Sequence, residues 1–339
     1  MTPFQGVEEG SIPFTRSKSD RNVHKLTIMT KNEFPRPRRR TIDQEAISHF
    51  LTSLGFQTER ITQEWRHLTA FGTFEGKEAV FKLATTLATA RYTHNEFNWN
   101  TAIHLTPEDK RPNFTVPENF SSGHYGKLFY FIAQRFMEEP FAQAKAPLSN
   151  DIKRRIKQIA AMTREIELLS IPSDSEFAKT HALREQISIG QKLLKSATEW
   201  ASQVPRNLDT FLKVIEDSKD TLRTCPAHGD FVIRQMYDID GKIGLIDGEH
   251  AGLEGAYHYD VAQFYIRLRN DHNAPGEAKQ YLHDFYDLLS PEDKDSFWQE
   301  LKPSLIQRYI GDLWGAAKDA QKLDELKQLG QEIINDKIL

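Results

Sequence analysis

The chain has 339 residues, and 44 Lys and Arg nearly balance 48 Asp and Glu, so its formal net charge is −4. This length predicts two domains or one two-lobed unit, and the charge balance argues against a specific nucleic-acid partner. A single cysteine, Cys225, excludes an internal disulfide. No apolar stretch reaches the roughly 18 residues of a membrane span, and the apolar region of a signal peptide is absent. These features predict a soluble, cytoplasmic protein with no membrane partner.

Residues 1–40 differ in composition from the rest of the chain. They carry nine basic side chains against four acidic ones, and Pro35 and Pro37 alternate with arginines. Such a segment is extended and repels itself. It predicts a basic N-terminal arm, either a solvated or partly disordered leader or an electrostatic arm for an anionic partner.

Residues 41–135 predict a small lobe with antiparallel strands. Thr41 and Gln44 have the spacing of a capping box, which predicts a helix that begins there and ends before Gly55. Beyond this helix, apolar alternation and turn residues predict strands at 57–61, 65–74 and 79–83, a Gly76-Lys77 turn, a helix at 90–104, and a strand pair at 114–116 and 128–134.

Residues 136–339 predict a larger, mainly helical lobe. Apolar residues at three- and four-residue spacings predict helices at 151–169, 182–204, 208–219, 259–269, 277–289 and 291–317, and a last one from residue 324. One strand-like island interrupts them at 223–247. The predicted fold class is therefore α+β: a small antiparallel-sheet lobe followed by a larger helical lobe.

The strand-like island contains the chemically most informative motif. Asp240-Gly241 is a favoured two-residue hairpin turn, and apolar residues alternate on both sides of it. With this turn, Ile239 pairs with Lys242, and the register brings Asp230, Gln235 and Asp247 to one end of the ribbon. Two carboxylates and an amide oxygen suit a hard divalent cation. One carboxylate would then be left to orient a hydroxyl group or accept its proton, as phosphoryl transfer requires.

This motif resembles that of the aminoglycoside phosphotransferase and choline kinase-like superfamily. The resemblance rests on three features: His228-Gly-Asp230, an amide side chain five residues after Asp230, and Ile-Asp247 twelve residues after that amide. It implies a protein-kinase-like fold and the transfer of phosphate from ATP, with Mg²⁺, to a small-molecule hydroxyl. It also implies that Asp230 is the catalytic base, that Asp247 ligates the metal, and that Asp260 braces the loop before Asp230.

One position departs from the family pattern. The family usually has Asn where this chain has Gln235, which is longer by one methylene group. Gln235 is still predicted to ligate the metal through its amide oxygen, although the geometry would change. The departure leaves a catalytically weak or inactive, kinase-like nucleotide-binding module as the alternative function.

Upstream, Lys82 lies in an apolar strand and needs a partner if it is buried. Glu96 follows fourteen residues later in the predicted helix. This spacing is similar to the family's strand-lysine and helix-glutamate ion pair, which implies that Lys82 holds the nucleotide phosphates. A solvent-facing position for either side chain stays open.

The segment 132–140 resembles the hinge between the lobes of the family. The resemblance implies that Arg135, Phe136 and Met137 contribute to the nucleotide site and that backbone groups near them bond the adenine edge. A glycine-rich phosphate loop is missing between the first two predicted strands, where the sequence is Thr62-Gln-Glu-Trp65. Small-molecule kinases of the superfamily often lack this loop.

Two further questions stay open at this level. The side chains of His228, Asp230, Asp247, His250 and His258 would form a metallohydrolase cluster if they converged, but no helix presents two of the histidines at i and i+4. The acceptor is also undetermined and would be aminoglycoside-, choline- or sugar-like. The acidic residues that would favour a cationic acceptor are Glu138, Glu139, Glu249, Glu254 and Asp271, yet acids are frequent throughout a chain with 27% charged residues.

Overall fold

An antiparallel sheet forms the first lobe of the computed structural model, which describes residues 41–64, 66–143, 145–182 and 187–338. The basic segment 1–40 lies outside the described residues. The sheet has five strands in the order β1-β2-β3-β5-β4. The strands are β1 (Phe56–Glu64), β2 (His67–Phe74), β3 (Lys77–Ala84), β4 (Asn119–Tyr125) and β5 (Leu128–Gln134).

Two predicted details of this lobe are wrong by a few residues. The turn between β2 and β3 is Glu75-Gly76, since both residues have positive φ and Phe74 pairs with Lys77. The first helix, α1 (Gln44–Ser53), is capped by Asp43, whose carboxylate accepts hydrogen bonds from the backbone of Glu45 and Ala46. Its predicted end is confirmed, because Gly55 follows the C-cap with φ +82°.

The predicted strand at 114–116 is also wrong. Pro117 cannot donate a ladder hydrogen bond, and β4 begins only at Asn119. Thr115 instead forms a parallel bridge to Gly244 of the second lobe. Phe114 and Val116 are buried in the core of that lobe, so this segment links the two lobes.

Helix α2 (Leu87–Leu105) joins β3 to β4 and packs against both lobes. Phe97, on one side of the helix, contacts the rings of Phe129 and Phe131 on β5. Trp99 is 1% exposed and belongs to the large core of the second lobe. The helix therefore fixes the sheet relative to the chain that follows.

The second lobe is mainly helical, as predicted, with altered helix limits. The predicted helix at 151–169 is divided at Arg155, and the one at 291–317 is a single helix that continues through Pro303. The helices are α3 (Asn150–Arg154), α4 (Ile156–Glu167), α5 (Glu176–Ala182), α6 (Ile189–Ala201), α7 (Asp209–Ser218), α8 (Tyr259–Asp271), α9 (Pro275–Asp287), α10 (Pro291–Gly315) and α11 (Ala320–Ile334).

Two short strand pairs lie among these helices. Strand β6 (Thr224–Ala227) pairs with β9 (Gly252–Ala256), and β7 (Met236–Ile239) pairs with β8 (Lys242–Leu245). The predicted hairpin register is confirmed, since Ile239 pairs with Lys242 around the Asp240-Gly241 turn.

The sheet lobe and the helical lobe confirm the predicted α+β, two-lobed architecture. The boundary between residues 135 and 136 stays a prediction; the last strand of the sheet ends at Gln134. Across the described ranges, no helix is both long enough and apolar enough to span a bilayer.

Candidate active site

The loop that carries Asp230 (residues 228–235, hereafter the Asp230 loop) is held by the first turn of α8. One oxygen of Asp260 accepts the backbone N–H of His228 at 2.6 Å, and the other accepts that of Gly229 at 2.9 Å. Asp260 is 2% exposed, and burial raises its pKa to about 7 against the opposing effect of these hydrogen bonds. Asp260 thus braces the loop, as the family resemblance implies.

Gly229 and His228 leave the Asp230 loop little freedom. Gly229 has φ +77°, and a Cβ atom there would lie 2.5 Å from the carbonyl oxygen of His250. The His228 ring is fully buried and its Nε2 lies 3.1 Å from the carbonyl oxygen of Ile246. Burial lowers the pKa of His228, which favours the neutral ring. This ring lies between the Asp230 loop and the end of β8.

The hairpin brings Asp230, Gln235 and Asp247 together. Nε2 of Gln235 donates to Oδ2 of Asp230 and to Oδ2 of Asp247, each at 3.0 Å. The backbone supports this geometry, because the N–H of Ile246 donates to the carbonyl oxygen of Gln235 at 3.1 Å. The three side chains predicted from the hairpin register therefore converge.

Lys82 joins the two lobes at this point. Its Nζ lies 2.5 Å from Oε2 of Glu96 on α2 and 2.8 Å from Oδ1 of Asp247. Burial opposes the charge of Lys82, but the two carboxylates raise its pKa well above the ordinary value. Burial would likewise raise the pKa of Asp247, yet Lys82 holds it well below the usual range. The side chain of Lys82 is 16% exposed and that of Asp247 is 32% exposed, so the two form a partly buried ion pair that stays charged over the whole physiological range.

Asp247 occupies an unusual backbone position. Its φ of 69° is in the left-handed region, which few residues other than glycine adopt. It precedes a short 3₁₀ helix (Gly248–His250) in which Gly248 packs against the Trp99 indole, leaving no room for a Cβ atom. This turn points the carboxylate at Lys82 rather than along the hairpin.

Three further polar residues surround this centre. The sequence analysis names Glu249 only as an acid that would favour a cationic acceptor, and it misses Arg66 and His67. Glu249 is 3% exposed and forms an ion pair with Arg66, which lies between β1 and β2. His67 lies 3.8 Å from Glu249, and burial lowers the pKa of His67 to about 3.

Gln263 was also missed. Its Nε2 donates to Oδ1 of Asp230 at 2.7 Å, and the residue is 1% exposed. Gln263 lies three residues after Asp260 on α8, so both face the Asp230 loop from one helix turn. That spacing was the available signal.

The three hinge residues follow directly after β5. The backbone N–H of Arg135 is already used by the carbonyl oxygen of Glu78 at 3.1 Å. Phe136 packs its ring against Tyr237 of the hairpin, and Met137 is 55% exposed. Any backbone contact to an adenine from this segment would therefore come from groups other than the N–H of Arg135.

The residues fit a divalent cation under one condition. Gln235 now directs its NH₂ group at both carboxylates, while its Oε1 is buried and has no partner among the described residues. A half-turn of the amide would exchange the two atoms and direct the oxygen at Asp247. Asp247 and Gln235 would then supply the oxygen ligands that such a cation prefers.

The metallohydrolase alternative is wrong for the described part of the chain. Nδ1 of His258 lies 2.9 Å from a carboxylate oxygen of Glu167. Nε2 of His228 is already in contact with the carbonyl oxygen of Ile246. The single group of potential ligands that meets within 4.8 Å in the described ranges is Glu96, Asp247 and Glu249, which contains no histidine. Lys82 already contacts two of these three carboxylates.

A cavity of about 480 Å³ opens beside the Asp230 loop. Gly229 and His250 form the wall nearest that loop, and Tyr259, Lys192 and Gln307 contribute from the helices. Of the acidic residues that would favour a cationic acceptor, Glu254 alone belongs to the described lining.

Solved structures of small-molecule kinases share this architecture, although no family model and no curated protein matches the chain. A thermostable mutant of aminoglycoside phosphotransferase APH(4)-Ia, solved with ADP and hygromycin B, has a TM-score of 0.59 at 12% identity, covering 85% of this chain and 97% of that one. Aminoglycoside 2'-phosphotransferase-IIIa with GDP has a TM-score of 0.58 at 13% identity, covering 87% and 99%. Amicoumacin kinase hAmiN with AMP-PNP, Ca²⁺ and Ami has a TM-score of 0.59 at 12% identity, covering 87% and 94%. This chain has the two-lobed fold of these phosphotransferases.

Proposed function

We propose that this protein transfers the γ-phosphoryl group of ATP, with Mg²⁺, to a hydroxyl group of a small molecule. The observation that carries the proposal is the contact of Lys82 with both Glu96 and Asp247, together with the Gln235 amide that bonds both Asp247 and Asp230. A strand lysine paired with a helix glutamate, near a metal-binding aspartate and a separate base, is the arrangement that phosphoryl transfer needs.

Each residue then has a distinct role. Asp230 orients the acceptor hydroxyl and takes its proton, while the hydroxyl oxygen bonds to the γ-phosphorus and the bond to the β-phosphate oxygen breaks, releasing ADP. Lys82 binds the phosphates, and Glu96 orients it. Asp247 and Gln235 would hold Mg²⁺, which supplies charge compensation for the phosphate oxygens. Backbone groups of Phe136 and Met137, with the carbonyl of Arg135, would bind the base.

The similar structures support a nucleotide in this cleft. Those proteins were solved with ADP, AMP-PNP or GDP. Both adenine and guanine nucleotides therefore belong in the first binding experiment. The cytoplasm stays the predicted location of such a reaction.

For the acceptor, we propose that the cavity beside Gly229 admits a sugar-like molecule rather than a polycation. Of the five carboxylates that would attract a polycation, two are paired elsewhere, and Glu254 alone lines this cavity, which Lys192 also lines. Glu249 is paired with Arg66, and Asp271 with Arg267 at 3.3 Å. Aminoglycoside-like and choline-like compounds serve as the contrasting acceptors in a screen, and a preference for them would overturn this choice.

The alternative, a weakly active or inactive nucleotide-binding module, is favoured by Gln235 and by the basic composition of residues 1–40. Calorimetric titration of ATP and GTP with Mg²⁺ and then with EDTA tests the site, and Asp247→Ala should remove the Mg²⁺-dependent part of the affinity. Turnover that is lost in Asp230→Asn supports the kinase. Binding without turnover to any acceptor or to water supports the module, and absence of binding overturns both.

A further inference from the structure

The first turn of α8 contacts three consecutive residues of the Asp230 loop. Asp260 accepts the backbone N–H groups of His228 and Gly229, and Gln263 donates to the side chain of Asp230. The first two contacts fix the backbone of the loop. Only the third fixes the direction of the Asp230 carboxylate.

The orientation of the Gln263 amide is set by its surroundings. Its Nε2 meets Oδ1 of Asp230 at 2.7 Å, whereas its Oε1 is buried without a partner among the described residues. The opposite orientation would place the amide oxygen against a carboxylate oxygen, and both are acceptors only. Gln263 therefore keeps one donor on Asp230 even though this leaves its own oxygen unsatisfied.

Gln235 cannot serve Asp230 in the same permanent way. Its NH₂ group is shared between Asp230 and Asp247, and it must turn away if the amide oxygen binds a cation. Oδ2 of Asp230 then loses this hydrogen bond, with Nη2 of Arg234 still 3.8 Å away, and can accept the proton of an acceptor hydroxyl. Oδ1 stays bonded to Gln263 throughout.

We infer that Gln263 is a positioning residue, which holds Oδ1 of Asp230 so that Oδ2 faces the acceptor hydroxyl when Gln235 binds the metal. This inference rests on the proposed function. Gln263 acts through Asp230 and touches neither the nucleotide nor the acceptor. Misplacing a general base by about 1 Å is enough to lower a rate about 100-fold.

The chain offers a matched control on the same helix. Nδ2 of Asn270 donates to Oδ2 of Asp312 at 2.6 Å, so it too is an amide that bonds a carboxylate, two turns from the Asp230 loop. Gln263→Leu and Asn270→Leu each remove one such donor and keep the volume similar. Gln263→Glu keeps the shape of the side chain and replaces the donor by an acceptor.

Three measurements on the full chain test the inference: the Kd of Mg²⁺–AMP-PNP by calorimetry, kcat and KM for Mg²⁺–ATP with water or a screened acceptor, and the ligand-free crystal structure of each variant combined with Gln235→Leu, because Gln235 otherwise still bonds Oδ2 of Asp230 when no metal is bound. For Gln263→Leu and Gln263→Glu we expect kcat to fall about 10- to 100-fold, with Kd and KM within about twofold. The Asp230 carboxylate should be displaced in both crystal structures. Asn270→Leu should leave kcat and the position of Asp230 unchanged.

An undisplaced Asp230 in Gln263→Leu combined with Gln235→Leu, or an equal loss of kcat in Asn270→Leu, would overturn the inference. If the proposed function is wrong, the wild-type protein neither binds Mg²⁺–AMP-PNP nor turns over ATP. The position of Asp230 in the ligand-free crystal of Gln263→Leu combined with Gln235→Leu still decides the positioning role in that case.

Discussion

Nζ of Lys82 on β3 lies 2.8 Å from Oδ1 of Asp247, which follows β8, so this ion pair bridges the sheet lobe and the helical lobe. Glu96 completes the group from α2. Because a buried charge is costly without a partner, the three side chains depend on one another for stability. The same three side chains would contact the phosphates and the metal. The residues that form the candidate active site are therefore also residues that hold the two lobes together.

Replacing Lys82 should therefore affect both binding and stability. Lys82→Met leaves the buried carboxylate of Glu96 and the partly exposed carboxylate of Asp247 without their cation, which we expect to cost about 1–3 kcal/mol of unfolding free energy. The affinity for Mg²⁺–ATP should fall at least about tenfold, since one unit of opposite charge is lost. Urea unfolding and calorimetry measure the two effects. Lys77 lies on the same strand and its side chain is 61% exposed, so Lys77→Met should change neither.

Asp230→Asn should remove turnover and spare nucleotide binding. The substitution keeps the size of the side chain but removes the proton acceptor, so we expect kcat to fall about 100- to 10,000-fold. Calorimetric affinity for Mg²⁺–ATP should change little, because Asp230 does not contact Lys82. Asp240→Asn in the hairpin turn is the control, as Asn-Gly is equally suited to that turn. Equal loss of binding and turnover would contradict the role of Asp230.

Gly229→Ala should destabilise the protein by more than the cost of a left-handed backbone conformation alone. A left-handed conformation costs a residue with a Cβ atom about 1–2 kcal/mol, and here the Cβ also meets the His250 carbonyl oxygen at 2.5 Å. Gly55→Ala separates the two costs, since Gly55 has φ +82° with no atom within 4 Å of the added Cβ. Thermal unfolding should show the larger loss for Gly229→Ala, and only that variant should lose turnover.

The Lys82 group also predicts a pH dependence of stability. Burial raises the pKa of Glu96 from 4.5 to about 7, with Lys82 opposing the shift. The folded state then holds a proton more tightly than the unfolded chain, so this contribution is fully present below pH 4.5 and is lost as the pH rises to about 7. The loss is at most about 3 kcal/mol, at about 1.4 kcal/mol per pKa unit.

Glu96→Gln should remove this dependence. Urea unfolding of the wild type and of Glu96→Gln at several pH values between 4.5 and 8 isolates the contribution. Glu45→Gln, at an exposed position of α1, should keep the wild-type slope. Parallel pH profiles for the wild type and Glu96→Gln would show that Glu96 is ionised throughout.

How much the sequence predicts depends on the separation of the residues involved. Asp230, Gln235 and Asp247 converge because a two-residue turn and strand alternation set the hairpin register, which are local properties. The predicted strand at 114–116 is wrong for the opposite reason, because Phe114 and Val116 are buried in the core of the other lobe. The predicted cap at Thr41 is wrong for a local reason, since the carboxylate of Asp43 accepts the backbone N–H groups of the first turn instead.

The sequence by itself determined the hairpin, the alternation of strands and helices, and the residue types suited to phosphoryl transfer. Only the tertiary structure decided which of these meet. Lys82 reaches Asp247 across 165 positions, and Glu249 pairs with Arg66 across 183. Gln263 finds Asp230 because α8 packs against the Asp230 loop. Such contacts depend on how the helices and the sheet pack to bury apolar surface. The direction of a single polar side chain after packing cannot be predicted from the residues next to it in the sequence.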